Sequence, residues 1–163
     1  MKKLTKETFN PDGFKFVDLG LPSGRLWATE NAPGYYTHEA AEQTFGDYLP
    51  KGAAMVELID ECKVEWNEDR HGLHITGLNG NNIFLPAAGF VDCFTKVAHD
   101  VDLEGNYWTS MRYVPKSESY GSNSSLCDAW CLNFSSVNLS PLLCTYRFNS
   151  YSIRVCKTIK EER

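Results

Sequence analysis

The chain has 163 residues and a formal net charge of -5, with no local cluster of Lys or Arg. That balance excludes a nucleic-acid binder, because phosphate binding needs a basic face. Hydrophobic residues at 42% and aromatics at 13% can build one sizeable core and are too frequent for a disordered chain.

Residues 1–13 read as a flexible leader that ends in the turn Asn10-Pro11-Asp12-Gly13. No apolar stretch follows the two lysines, and no run is long enough to cross a bilayer. The expectation is a chain made in the cytoplasm, without membrane insertion. One domain is expected over residues 14–158, followed by a charged tail at 159–163. Phe14 to Leu19 and Arg25 to Ala28 predict two strands joined by the turn GLPSG. Thr37 is placed to cap a helix that runs to Phe45, with Gly46 as its stop. A second helix is predicted from about Ala53 to Val64, because Met55, Leu58, Ile59, Cys62 and Trp66 recur at helical spacing. The period then changes to two. His71, Leu73 and Ile75, then Ile83 and Leu85, flank LNGNN, a hairpin signature. Val91 to Glu104 reads as an irregular loop. Strands are expected at Gly105 to Ser110, Asp128 to Phe134, Val137 to about Leu143 and Ser152 to Lys157, with a surface loop over Lys116 to Ser125.

Catalytic patterns are absent: no GxSxG, HExxH, Walker loop or GxGxxG occurs. Each of His38, His71, His74 and His99 is expected at the surface. The six cysteines are expected to be free thiols, mostly small core residues. Cys127 and Cys131 lack the CxxC spacing of a zinc site, and no second ligand pair follows. Trp66-Asn67-Glu68-Asp69 superficially resembles a lectin calcium triplet, but Glu68 interrupts it and it follows a helix. No metal and no cofactor is expected.

The informative stretch is the last third. Between Leu132 and Tyr146 no charged residue or histidine occurs. Trp130, Leu132 and Phe134 alternate with Cys131, Asn133 and Ser135, which predicts a half-buried strand. The second parity is small, polar or sulfur-bearing. Together with nearby Tyr, Phe and Leu it has the composition of adaptable binding loops. Leu139-Ser140-Pro141-Leu142-Leu143-Cys144 is too apolar for an ordinary solvated loop.

VDLGLPSGRLWAT, GDYLP, ELIDEC, ITGLNGNNIFLPAAGF, NYWTS, AWCLNFSSVN and SIRVCK are spread over nearly the whole chain from Phe14. In these motifs the sequence resembles a domain of gut Bacteroidetes and their phages that is similar to the formylglycine-generating-enzyme branch of the C-type lectin fold. The resemblance implies an α+β class: small mixed or antiparallel sheets, two helices and extensive loops. One class in this group is the variable protein of diversity-generating retroelements, whose C-terminal segment is mutated at template adenines. The resemblance then implies a non-catalytic ligand-binding protein that displays a variable surface over about 107–155. Its partner would be a protein or glycan on a cell surface, and its place could be a virion. Scaffold positions would be Trp108, Trp130, Leu132, Phe134, Val137, Arg147, Ser152, Arg154 and Val155. Ligand-contacting positions would be Met111, Arg112, Tyr113, Cys131, Asn133, Ser135, Asn138, Ser140, Leu142, Leu143, Cys144, Tyr146, Phe148, Asn149 and Tyr151. A core of Trp27, Phe84, Trp108, Trp130 and Phe134 would hold the backbone. Two alternatives belong to the same fold group: an enzyme using Cys/His chemistry, and a structural surface module that is not diversified. Cys127 and Cys131 do not match the enzyme's cysteine pattern.

Overall fold

The computed structural model describes residues 2–112 and 128–158. The class is α+β. Strands β1 (Phe16–Asp18), β2 (Leu26–Ala28) and β11 (Cys156–Lys157) form one sheet in the order β1-β2-β11. Strands β3 (Lys63–Asn67), β4 (Gly72–Thr76) and β5 (Asn82–Pro86) form a second. Strands β8 (Glu104–Arg112), β9 (Ala129–Ser135) and β10 (Leu139–Thr145) form a third, with β9 in the middle. A two-stranded ribbon pairs β6 (Phe90–Val91) with β7 (Ala98–His99). All these pairings are antiparallel.

Helix α1 (His38–Phe45) begins where expected. The Thr37 hydroxyl accepts the Ala40 N–H at 3.2 Å, and Gly46 closes the helix at a positive φ of 52°. Helix α2 (Gly52–Glu61) stops earlier than its apolar spacing predicts. Cys62 is already extended, and Trp66 lies on β3 instead of on the helix. Val64 and Trp66 fit two periods at once. Pairing with Ile75 and Leu73 on β4 decides in favour of the strand. The LNGNN turn docks on the first sheet: the Asn79 and Asn81 amides both donate to the Asp18 carbonyl, at 2.8 and 2.9 Å. Residues 92–103 carry more order than expected. The Asp92 carboxylate accepts the N–H groups of Phe94 and Thr95, which sets the β6–β7 turn.

The leader packs onto the domain. Phe9 makes edge-to-face contacts with Phe14, Phe45 and Tyr48, with ring centroids 4.9 to 5.7 Å apart. Leu4 N–H donates to the Tyr36 hydroxyl.

The β8-β9-β10 sheet is covered on both faces. Tyr107, Leu132 and Phe134 enter one core with α2 and the β3-β4-β5 sheet. Trp108, Ala129 and Cys131 enter the other with α1, Tyr36 and the segment Tyr151, Ile153 and Val155. Consecutive residues Tyr107 and Trp108 are both wholly buried, on opposite faces, as the strand period requires. Gly105 lies opposite Phe134, and a Cβ there would collide with the Phe134 ring. Phe84 and Trp130, both expected in the core, are only partly buried, and Phe84 carries the Arg70 guanidinium 3.8 Å above its ring.

The segment before β11 crosses the molecule without forming a regular ladder, and Arg154 pins it. Its guanidinium is 2% exposed and donates to Asn31 Oδ1 at 2.8 Å, the Ala28 carbonyl at 3.1 Å and the Phe84 carbonyl at 2.6 Å. Asn31 in turn donates to the Tyr107 hydroxyl, which donates to the Pro86 carbonyl. Arg154→Met leaves these acceptors buried and unpaired. It is expected to cost about 3 kcal/mol in urea unfolding at neutral pH; an unchanged midpoint would show that the network contributes nothing.

Candidate functional site

The residues expected to contact a ligand divide into three groups. The first cannot reach solvent. Cys131 is wholly buried in the second core, because β9 is a central strand packed on both faces. Tyr151 is 5% exposed, stacks on Trp108 at 4.3 Å and hydrogen-bonds Thr145 at 2.9 Å. Neither is a contact residue. Tyr113 and the loop over 116–125 lie outside the described residues.

The other two groups occupy opposite ends of the β9–β10 hairpin. The strand's seven residues separate them by about 20 Å. At the turn end, Asn106, Asn133 and Asn138 form an amide chain. Asn138 donates to Asn133 at 3.1 Å, Asn133 donates to Asn106 at 2.9 Å, and Asn106 donates to Glu104 at 3.0 Å. Val137 at the tip is 92% exposed, so it is not the scaffold residue it was expected to be. Ser135 and Asn138 line a hollow of ≈ 260 Å³ over Val64, Trp66 and Leu73. Ser140 is half-buried and sits opposite Asn133.

At the other end lie Met111 and Arg112 on β8, Leu143 and Cys144 on β10, and Tyr146, Phe148 and Asn149 in the turn that follows. Arg112 aligns with Ala129, and Ala129 with Thr145. A bulge between Ser140 and Leu143 sets Pro141 and Leu142 against a single partner position and shifts the register. Leu143, Met111 and Phe148 remain 41 to 46% exposed. Leu142 instead leans toward α2: its side chain lies near Gly52, as does Met111. Tyr146 and Phe148 make an edge contact at 5.3 Å. Asn149 has a structural duty, accepting the Cys93 N–H. Cys144 is disulfide-bonded, against the expectation of a free thiol; cysteine pairing is set by proximity in the fold, which spacing does not reveal. Cys62, Cys93, Cys131 and Cys156 are free.

Three residues at this end escaped the sequence reading. Arg147 is exposed instead of serving as scaffold, and its guanidinium stacks 4.9 Å over Phe148. His38 is buried instead of on the surface. Its Nε2 meets the Thr109 carbonyl at 2.8 Å, so the proton sits on Nε2 in the neutral ring. Nδ1 then faces Glu42 Oε1 at 3.6 Å, and Arg112 Nη1 reaches the same oxygen at 3.5 Å. These groups line a cleft of ≈ 360 Å³ between α1 and the 146–148 turn. The i,i+4 spacing of His38 and Glu42 was a usable sequence signal.

Among the described residues no three Asp, Glu, His or Cys side chains converge on a possible metal position. Burial pushes the Cys62, Cys131 and Cys156 thiols up, Cys156 to about 12, which is opposite to the shift that activates a thiolate. Asn67 and Glu68 serve the β3–β4 turn, accepting the Arg70 N–H and the Trp66 indole N–H. Compared with family models, curated proteins and solved structures, the chain gives no match.

Burial lowers the His38 pKa below its ordinary 6.5; the Thr109 carbonyl and Glu42 oppose the shift, while Arg112 and Arg147 reinforce it. The unfolded chain therefore takes up this proton first as pH falls. The expected result is a thermal midpoint that drops from about pH 7 to about pH 5.5, with a shallower slope in His38→Gln. Equal slopes in the two proteins would remove His38 as the source.

Proposed function

We propose that the protein is a non-catalytic ligand-binding protein of C-type lectin fold, and that the hairpin end carrying Met111, Arg112, Leu143, Tyr146 and Phe148 is its binding surface. The observation that carries this reading is the contrast within one sheet. Trp108, Leu132 and Phe134 have no exposed surface, while Met111, Leu143 and Phe148, on or beside the same strands, keep over two-fifths of theirs. A rigid two-faced core can hold such a rim in place while its side chains change. Aromatic and apolar side chains beside arginines are the usual anchors of protein recognition.

Two helices, small antiparallel sheets and long irregular connections support the C-type lectin reading. Diversification by a retroelement would act on the same rim. Cys131 and Tyr151 fall outside it, so a variable set would have to accommodate core demands at those two positions. The partner would be a protein or glycan on a cell surface, met by a chain made in the cytoplasm and carried on a virion or a cell.

Two measurements test the reading. Met111→Ser, Leu143→Ser and Phe148→Ser should each move the thermal midpoint by less than about 2 °C, whereas Leu132→Ala should cost about 2–5 kcal/mol. Large losses at the rim would mean that those side chains belong to the fold. At the locus, a near-identical repeat that differs only at adenines, beside a reverse-transcriptase gene, is expected; a locus without one ends the diversification part.

A further inference from the structure

We propose that the cleft between α1 and the 146–148 turn binds a carboxylate-bearing group, held between the guanidiniums of Arg112 and Arg147. The inference rests on the binding-surface reading above and names the chemistry of its ligand.

Both arginines are available. Arg147 is exposed, and its side chain contacts no carboxylate among the described residues; Asp128 accepts only its backbone N–H, at 3.4 Å. Its guanidinium lies 4.9 Å over the Phe148 ring, a cation–π contact that leaves the N–H donors free. The Arg112 side chain is 55% exposed, and among the described residues its only ion pair is the 3.5 Å contact with Glu42. That distance is well beyond the 2.7–2.9 Å of a strong charge-assisted bond. A guanidinium fork matches a carboxylate in two directions, so a ligand carboxylate can offer a better bond than Glu42 does. The cleft of ≈ 360 Å³ has room for one sugar ring or one acidic side chain.

The cleft also contains its own competitor. Glu39 and Glu42 line it, so a bare anion gains little there. Glu42 Oε1 is shared between Arg112 and His38 Nδ1, at 3.5 and 3.6 Å. When His38 takes a proton, Nδ1–H becomes a donor that holds Glu42 and leaves Arg112 to the ligand. The other groups facing His38 are the Thr109 carbonyl, the Trp108 ring edge-on at 5.0 Å, and Arg147. Of these only Arg147 is charged, and binding a carboxylate neutralises it. Ligand binding and His38 protonation therefore favour each other, and affinity rises as pH falls below the ordinary histidine range.

The test is an NMR titration of the full chain with glucuronic acid and with N-acetyl-aspartate. Glucose, N-acetyl-asparagine and inorganic phosphate are controls, at about pH 7.5 and about pH 5.5. At least one carboxylate probe should bind more tightly than its neutral counterpart and than phosphate, and more tightly at the lower pH. Glucuronic acid would point to an acidic glycan and N-acetyl-aspartate to a protein side chain; either supports the proposal. Arg147→Gln should weaken binding about tenfold or more. Glu42→Gln should tighten it at the higher pH and reduce the pH dependence to what the Arg147 coupling leaves, a result that a merely structural role for Glu42 would not produce. The proposal is overturned if neither carboxylate binds, if neutral probes or phosphate bind as well, or if Glu42→Gln leaves affinity unchanged. Failed titrations beside an adenine-marked repeat would remove the carboxylate and keep the display reading; binding without the repeat would keep the carboxylate site and remove only the diversification.

Discussion

A single buried cation sets the geometry of this protein. Among the described residues Arg154 has no carboxylate in contact; two backbone carbonyls and one side-chain amide from separate parts of the chain receive its donors. Removing a guanidinium from water is costly, and several well-formed bonds are needed to offset it. The planar fork can meet acceptors in different directions at once, which a lysine ammonium on a flexible stem does less well. Through Asn31 and the Tyr107 hydroxyl the same network reaches β8 and Pro86. The first sheet, the second sheet and the central strands are therefore registered against one side chain near the C-terminal end of the domain.

That registration explains the two-sided sheet. The segment at 151–155 lies in the second core, where Tyr151 stacks on Trp108 and the Trp108 indole donates to the Tyr36 carbonyl at 2.7 Å. With this segment in place, both faces of β8 and β9 are covered. Among the described residues, these two strands leave no broad face of their own for a ligand, and their open surface lies toward the two hairpin ends. The ends differ in physical character. The turn end ties its amides to one another, so Asn133 and Asn138 are already occupied in a chain that ends on Glu104. The other end leaves aromatic, apolar and guanidinium groups open, beside a loosely paired Glu42. A polar network with its bonds made resists change, whereas unspent side chains can serve a partner.

Much of the fold was legible in the sequence. Thr37 and Gly46 marked α1, LNGNN marked the β4–β5 hairpin, and strict alternation marked β9. Each of these signals is local: a cap bond, a turn conformation, a period of two. Two families of error came from elsewhere. Val64 and Trp66 satisfied helical and strand periods equally, and only the partner strand β4 chose between them. Phe9 looked like part of a free leader, because an isolated aromatic in a polar stretch says nothing about the Phe45 and Tyr48 rings that receive it.

The candidate site was half legible for the same reason. The sequence by itself determined that β9 alternates, that Leu132 and Phe134 lie on its inner parity, and that the chain at 139–144 is too apolar for an ordinary solvated loop. Only the tertiary structure decided that the second parity of β9 is also buried at Cys131, that Tyr151 is a core ring, and that His38, Glu42, Arg112 and Arg147 share one cleft. Alternation reports that a strand has two faces. It does not report what covers each face, because the covering segments come from residues far away in the chain.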